Sequence, residues 1–402
     1  MIKRTLQELC LNITDGKHGD CENEENSGYY FISCKDIFDG QINYKNARQI
    51  TKADFEETHK RTMLEVDDIL LTNSGTIGRM AFVTDREATT KTTFQKSVAI
   101  IKPDKQNVLP RYLYYQLQNC VPQFINSSNG SAQKNLLLST MRTFQIEIEE
   151  NREKQEKIAN TLSAYDDLIE NNQKQIKLLE EAAQRLYKEW FVDLRFPGHE
   201  NTKIVDGVPE GWNWCKLEDA IQFDPKVTLT KERMKQFVPM SALSTSSMVL
   251  DESQFTETTS NSGSKFQNGD TLLARITPCL ENGKTACVSG LKSNEGAVGS
   301  TEYIVMRAKT INSYMVYLLA RTDDFRQSAI NSMSGSDGRQ RVKSDKLKML
   351  DYLHPTGELV EKFEKVAGPI FEKICKLSKQ MQQAKQARDL LLPKLMSGEV
   401  EV

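Results

Sequence analysis

One helical pattern occurs twice in this sequence, 205 positions apart. Between residues 151 and 191, apolar residues recur at alternating intervals of four and three, which is the period of helices packed in a coiled coil. Adding 205 to each position gives the same spacing between residues 356 and 396. We call these positions the helix seam, and they are Ile158, Leu162, Tyr165, Ile169, Asn172, Ile176, Leu179, Ala183, Leu186, Trp190, Phe363, Ala367, Ile370, Ile374, Leu377, Met381, Ala384, Arg388, Leu391 and Leu395.

The seam is long and is flanked by further apolar residues. At a rise of 1.5 Å per residue, each helix is about 50 Å long. Asn172 and Arg388 interrupt the seam with polar groups, which can fix the register of a helix pair. The broader stripe predicts that the two helices pair with each other and offer a second face to another protein. A generic coiled-coil dimer remains the alternative. The flanking residues are Leu168, Leu178, Tyr187, Phe191, Val366, Leu390, Leu392 and Met396.

The sequences that precede the two helices also resemble each other. The paired segments are 67–83 with 269–288, 98–102 with 303–307, 111–117 with 313–319, and 129–136 with 334–342. Each half is therefore predicted to be a mixed α/β globule of about 150 residues followed by a long helix. The predicted fold class is α+β, with two such globules, two long antiparallel helices and a pseudo-two-fold internal repeat. The predicted bounds are 1–150 for the first globule, 151–191 for its helix, 192–213 for a linker, 214–355 for the second globule, 356–396 for its helix and 397–402 for a tail.

Antiparallel pairing of the helices would have a geometric consequence. A pseudo-two-fold axis would relate the halves, so the two globules would lie at opposite ends of a rigid spacer and face the same way. Two binding surfaces held a fixed distance apart suit a DNA target made of two half-sites. The seam pattern alone leaves the direction of pairing open.

The overall charge does not indicate whether the chain binds nucleic acid. With 53 Lys and Arg against 55 Asp and Glu, the formal net charge is −2. DNA binding would therefore depend on local basic loops that contact phosphates.

The apolar runs are too short for a membrane span and the first residues do not read as a signal peptide, so we expect a cytoplasmic protein and no membrane partner. The eight cysteines lack zinc-site spacing, and we interpret them as reduced thiols.

The motifs for catalysis are incomplete. Gly283-Lys284-Thr285 resembles the end of a phosphate-binding loop, but Pro278 stands where that loop needs its first glycine. The tetrapeptide Asp/Asn-Pro-Pro-aromatic of amino-methyltransferases does not occur in the sequence, and the four His are not spaced as metal ligands. We therefore predict a chain that is not an enzyme, with no catalytic residue, no metal site and no cofactor of its own.

Polar loops between the predicted strands are the candidates for DNA contact. Arg and Lys pair with guanine edges, Asn and Gln with adenine, and Ser or Thr with either. Ordinary strand-connecting loops are the alternative for each of these residues. Segment 338–348 has five basic residues against one Asp, which favours phosphate contact. The candidates are Asn73, Ser74, Thr76, Arg79, Lys91, Thr92, Thr93, Gln95, Lys96, Gln133, Lys134 and Asn135 in the first globule, and Arg275, Thr277, Asn282, Lys284, Ser300, Thr301, Ser336, Arg339, Gln340 and Arg341 in the second.

Four phrases in this order resemble the specificity subunit of type I restriction–modification systems. They are KEWFVDLRFPGHE, ARITPCLENGKTA, GSDGRQRV and LLLPKLMSGEV. The resemblance implies that each globule is a target recognition domain reading one half of a split double-stranded DNA sequence. It also implies that the helices dock two methyltransferase subunits carrying S-adenosylmethionine, and that a restriction subunit using ATP and Mg completes the complex. A stand-alone helical adaptor that dimerises and binds protein is the second hypothesis.

Overall fold

The chain forms two compact units. The computed structural model describes residues 1–128, 134–292, 296–335 and 338–401. Unit 1 consists of Met1–Asp167 and Ala384–Val402, and unit 2 of Leu168–Gln383. Each unit therefore contains one globule and a segment of both long helices.

The elements of the first half alternate short strands with short helices before one long helix. The strands are β1 (Ile2–Thr5), β2 (Cys10–Asp15), β3 (Tyr30–Ile32), β4 (Ile37–Phe38), β5 (Gln41–Ile42), β6 (Arg48–Gln49), β7 (Ile69–Thr72), β8 (Met80–Phe82), β9 (Thr92–Phe94), β10 (Val98–Pro103) and β11 (Gln145–Ile148). The helices are α1 (Lys52–Thr62), α2 (Arg86–Thr89), α3 (Pro110–Asn119), α4 (Val121–Asn126), α5 (Leu138–Thr143) and α6 (Arg152–Tyr187), and a π-helical turn, Lys188–Val192, follows α6.

The second half has a similar order of elements. Its strands are β12 (Ile204–Val205), β13 (Val208–Pro209), β14 (Asn213–Lys216), β15 (Ile221–Phe223), β16 (Lys235–Val238), β17 (Thr256–Thr258), β18 (Ser264–Phe266), β19 (Thr271–Ala274), β20 (Thr285–Cys287), β21 (Ala297–Gly299), β22 (Tyr303–Ala308) and β23 (Asp351–His354). Its helices are α7 (Leu217–Ala220), α8 (Ser313–Ala320), α9 (Asp323–Asn331), α10 (Ser344–Lys348) and α11 (Gly357–Ser397).

The two globules share one sheet topology. Each has a four-stranded antiparallel sheet, in the order β2-β10-β7-β8 in the first and β15-β22-β19-β20 in the second. The central strands β10 and β22 begin with apolar runs that are buried, as expected for strands covered on both faces. Each globule also has a parallel strand pair, β3 with β9 and β16 with β21. The echoed segments 98–102 and 303–307 lie in β10 and β22, and the mixed α/β fold is confirmed.

The long helices pack antiparallel in both units. In unit 1, Leu162 of α6 shares a hydrophobic core with Leu395 of α11. In unit 2, Ala183 of α6 shares a core with Phe363 and Ala367 of α11. The beginning of each helix thus packs against the end of the other, and every residue of the helix seam is buried or half-buried.

The apolar residues beside the seam differ in exposure, and Phe191 and Leu392 are half-buried against the cores. Leu178 and Leu390 are 64% and 69% exposed, and Leu168 and Val366 are also exposed. Tyr187 and Met396 are each only 2% exposed and lie in the cores of their units. The outward face of the helices is therefore carried by the exposed flanking residues, whereas Tyr187 and Met396 contribute to the cores.

A three-residue contact joins the first globule to both helices within unit 1. The hydroxyl of Tyr115, on α3, donates to Asp166 Oδ2 at 2.6 Å. Nη1 of Arg388, on α11, donates to Asp166 Oδ1 at 2.7 Å. Burial, together with the Asp166 charge, holds the pKa of Tyr115 far above its ordinary value, so the phenol remains a donor. Arg388 is therefore the ion-pair partner of Asp166 as well as a seam residue.

A buried aspartate directly precedes the inner strands β7 and β19 of the two sheets. The Asp68 carboxylate accepts from Lys102 Nζ and from the backbone N–H of Glu65, both at 2.8 Å. In the second sheet, Asp270 accepts two bonds from Arg307, at 2.7 and 2.8 Å. Both aspartates are at most 3% exposed, so an internal cation partly compensates each buried charge.

Replacing Asp68 with Asn should remove one part of the pH dependence of stability. Burial raises the pKa of Asp68 to about 6 from 3.8, despite the opposing effect of Lys102. Because the folded state then holds this proton more tightly than the unfolded state, the contribution of Asp68 to stability should fall by about 3 kcal/mol as pH rises from below about 4 to above about 6. Urea unfolding across this range should show that the difference in stability between the wild type and Asp68→Asn changes by this amount with pH. The difference between the wild type and Asp167→Asn, an exposed control, should stay constant. A difference between the wild type and Asp68→Asn that does not change with pH would contradict the assignment.

Over the part of the chain that the structure describes, no helix combines the length and the apolar character needed to cross a bilayer.

Candidate nucleic-acid interface

Two loop regions of the first globule that carry candidate residues lie side by side. Ser74 forms an isolated antiparallel bridge with Asn135, and the backbone N–H of Leu136 donates to Asn73 O at 2.8 Å. Four candidate side chains are therefore presented together at the surface. The exposed candidates here are Thr76, Arg79, Lys134 and Asn135, while Ser74 is half-buried and Gln133 lies outside the described residues.

The segment from Lys91 to Lys96 is only partly an exposed loop, in contrast to the prediction. Lys91 and Lys96 are exposed and Gln95 is half-buried, but Thr92 and Thr93 are fully buried in β9. The expectation of an exposed loop is wrong at these two threonines, because their β-branched side chains pack in a strand paired with β3. The surface part of this segment is therefore its two lysines and Gln95. Asn73, in the loop after β7, is likewise buried, at 4% exposure.

The second globule brings its candidate loops together by the same backbone contacts. Ile276 bridges Arg341, and the backbone N–H of Val342 donates to Arg275 O at 2.9 Å, as Leu136 does to Asn73 in the first globule. The backbone N–H of Thr277 donates to Gln340 O at 3.1 Å. Asn282, Thr301 and Arg339 are exposed, while Arg275, Thr277, Lys284, Ser300, Gln340 and Arg341 are half-buried; Ser336 lies outside the described residues.

The cations of these loops differ in how they are engaged. Nη2 of Arg341 lies 2.7 Å from Glu302 Oε1, and its hydrogen bonds hold the pKa of Glu302 below its ordinary value. Lys284 Nζ donates to Met240 O at 2.9 Å. Arg339 is exposed and forms no ion pair with any described residue. Arg341 therefore holds its loop in place, and Arg339 is the arginine of the pair that is open to a ligand.

A cleft of about 610 Å³ in unit 2 is lined by two of the candidates and by three lysines that sequence reasoning missed. The candidates are Arg275 and Thr301, and the lysines are Lys226, Lys231 and Lys265. We call the surface formed by Lys226, Lys231, Lys265 and Arg275 the basic cleft. The run KVTLTKERMK after β15 contains an excess of basic residues that could have indicated it.

Cation coordination is not indicated among the described residues, which contain no group of three or more His, Cys, Asp and Glu side chains arranged to hold a metal ion. The candidate loops of both globules instead present short polar and basic side chains, and backbone hydrogen bonds hold these loops in place. Such groups can donate to phosphates and to base edges.

Known proteins resemble this chain over its length. Residues 3–181 match the family model for the type I restriction modification DNA specificity domain. The type I restriction enzyme MjaIX specificity subunit of Methanocaldococcus jannaschii is 28% identical over 386 residues, covering 92% of this chain and 87% of that protein. The EcoAI specificity subunit of Escherichia coli is 34% identical over 140 residues, 34% of this chain and 24% of that protein. The crystal structure of a type I S subunit from M. genitalium matches the fold with a TM-score of 0.59 at 15% identity, covering 98% of this chain and 95% of that one.

Proposed function

We propose that this chain, which is similar to the specificity subunits of type I restriction–modification systems, is the non-catalytic subunit that recognises DNA in such a complex. The observation that carries the proposal is the match to the specificity-domain family together with the paired loops in both globules. In each globule the same backbone contacts place exposed polar and basic side chains together, as a DNA-reading surface requires.

We infer that the two globules, residues 1–150 and 214–355, read different half-sites. The contacts that hold the loops are shared, whereas the side chains on them differ. Thr76 and Arg79 stand in one loop, and Asn282 and Lys284 in the other. Hydrogen-bonding groups that differ this much select different bases, so the target is asymmetric and interrupted by unspecified bases.

We infer that the helices, residues 151–191 and 356–396, provide the docking surface for two methyltransferase subunits. The exposed leucines on them, Leu178 and Leu390, support this because large exposed apolar side chains on paired helices suit a partner. In the proposed domain organisation, residues 192–213 form the linker between the two halves and residues 397–402 form a tail. The methyltransferase would bring S-adenosylmethionine, a restriction subunit would bring ATP and Mg, and the complex would act on cytoplasmic DNA.

Methylation mapping tests the proposed function. Host DNA is sequenced for modified bases with the gene intact and with the gene deleted. We expect one asymmetric, interrupted sequence to lose its methylation in the deletion strain and to regain it when the gene is restored. An identical methylation pattern in both strains would reject the proposal, and a perfect palindrome would reject the two different half-sites.

Replacing Arg339 with Ala should weaken DNA binding and spare folding. If Arg339 contacts a base, its loss should cost about 1–3 kcal/mol of binding free energy and relax the choice of one base. If it contacts a phosphate, its loss should flatten the slope of log affinity against log salt by about one. Binding is measured with target and scrambled duplexes at several salt concentrations, and the melting temperature serves as the folding control. Arg341→Ala should in addition lower stability, because it removes the partner of Glu302. Unchanged binding and salt dependence in Arg339→Ala would remove this residue from the interface.

A further inference from the structure

We propose that the basic cleft of unit 2 binds the sugar–phosphate backbone of the DNA beside the bases read by the second globule, an inference that rests on the proposed function. The cleft combines cations from three parts of the chain. Lys226 and Lys231 follow β15, Lys265 lies in β18, and Arg275 follows β19. Thr301 lines the same cleft, so it adjoins the loops that carry the candidate base contacts.

The wall of the cleft is held in place by internal hydrogen bonds. Lys235, which is 8% exposed, donates through Nζ to Asn261 Oδ1 at 2.7 Å. Asn261 in turn donates to Leu229 O at 3.2 Å, in the segment between Lys226 and Lys231. Because the buried lysine and the amide tie this segment to the loop before β18, the exposed lysines stand on a fixed backbone.

The charges of the cleft are only partly balanced internally, because Glu302 lies close enough to Arg275 for that cation to lower the pKa of the carboxyl group. Lys226, Lys231 and Lys265 form no ion pair with the described residues, and the Nε–H of Arg275 is buried without a hydrogen-bond partner. Among the described lining residues, the carboxylate is that of Asp224, whose Oδ1 accepts from the backbone N–H of Val305 at 3.1 Å. Several unpaired cations on one concave surface attract an anion with several charges.

A phosphate backbone fits this surface better than a base edge does. Lysine acts as a flexible point charge, which suits phosphate oxygens, whereas base recognition favours planar or short groups in fixed positions. The lysines are spread along a segment and a strand rather than gathered at one point. They can therefore follow successive phosphates of a strand.

At the matching place in the first globule, the lysine that follows the edge strand is already paired with acids. Strand β2 occupies the position of β15 at the edge of its sheet, and Lys17 follows it. Lys17 Nζ lies 3.2 Å from both Asp54 and Glu57. Since these acids already neutralise Lys17, we expect the contribution to phosphate binding at this position to come from the second globule.

The test measures the salt dependence of DNA binding by the full chain, purified together with its methyltransferase subunit. The probes are a duplex with the mapped target and a scrambled duplex. Lys226→Ala/Lys231→Ala should flatten the slope of log affinity against log salt by about two, since each lost phosphate contact contributes about 0.9. Affinity for both duplexes should fall by the same factor. Lys226→Arg/Lys231→Arg should restore the wild-type slope.

Two controls separate this cleft from general charge effects. Lys203→Ala/Lys309→Ala removes two exposed lysines of the same unit, outside the cleft lining, and should leave the slope at the wild-type value. Lys17→Ala should leave it unchanged as well. A wild-type slope in Lys226→Ala/Lys231→Ala, or a loss confined to the target duplex, would overturn the cleft proposal alone. Wild-type protein that binds neither duplex would overturn the proposed function with it.

Discussion

A four-residue insertion after Gln173 should change the number of unspecified bases between the two half-sites while leaving both half-sequences intact. Four residues lengthen a helix by about 6 Å and turn its continuation by about 40°. This is comparable with one to two base-pair steps of about 3.4 Å. Knobs-into-holes packing resists sliding of one helix along the other, so the added length cannot be absorbed by slippage.

The phase of the helix seam supplies the matched control for this insertion. An insertion of four residues turns the seam residues that follow it by only about 40°, so Asn172 and Ile176 stay close to one stripe. An insertion of two residues turns the following seam residues by about 200°. We expect the two-residue insertion to fail in folding, because buried seam residues such as Ile176 would face solvent. Methylated sites made by the folded four-residue variant are then sequenced. An unchanged gap in that variant would show that something other than this helix sets the distance.

Replacing Asp166 with Ala should destabilise unit 1 by about 2–4 kcal/mol, from the loss of a half-buried acceptor and of the ion pair that it forms. The Tyr115 hydroxyl would lose its acceptor at 2.6 Å, and Arg388 would keep only its neighbour Asp389. Asp166 and Arg388 are each 24% exposed, which places the expected loss below that of a fully buried pair. Urea unfolding of the full chain measures the change.

An exposed pair on the same helix provides the comparison for Asp166. Glu170 contacts Lys174 at the helix surface, and Glu170→Ala should change stability by less than about 0.5 kcal/mol. Tyr115→Phe removes one of the two interactions of Asp166, so its loss of stability should lie between those of Glu170→Ala and Asp166→Ala. If Asp166→Ala is no more destabilising than Glu170→Ala, the three-residue contact does not contribute to folding.

The sequence was most informative where one pattern repeats over many turns. The seam from Ile158 to Trp190 has a single period, and a long apolar stripe of that kind packs as a helix whatever its partner is. Thr92 and Thr93 were misplaced because a three-residue strand is too short to show a period. The partner of Arg388 could not be predicted either, since Asp166 lies 222 positions away and meets it only in one antiparallel register.

The basic cleft was missed for a related reason. Lys226 and Lys265 belong to segments that become neighbours only when β15, β18 and β22 take their places. A charge run such as KVTLTKERMK is compatible with any solvated surface, so its composition does not indicate a concave site. The repeated apolar segments of the two halves, by contrast, were visible in the sequence, and 98–102 and 303–307 lie in the matching strands β10 and β22.

The order in which the polypeptide is made bears on unit 1. Its core includes Leu395 and Met396, which pack with Ile158 and Leu162, although all of unit 2 lies between these segments in the sequence. At about 5–20 residues per second, the ribosome needs roughly 10–40 s to pass from residue 167 to residue 384. During that interval the nascent first half carries an unpartnered apolar helix face, open to chaperones and proteases. A nonsense mutation just before Ala384 would therefore leave the half that was synthesised first unable to complete its core.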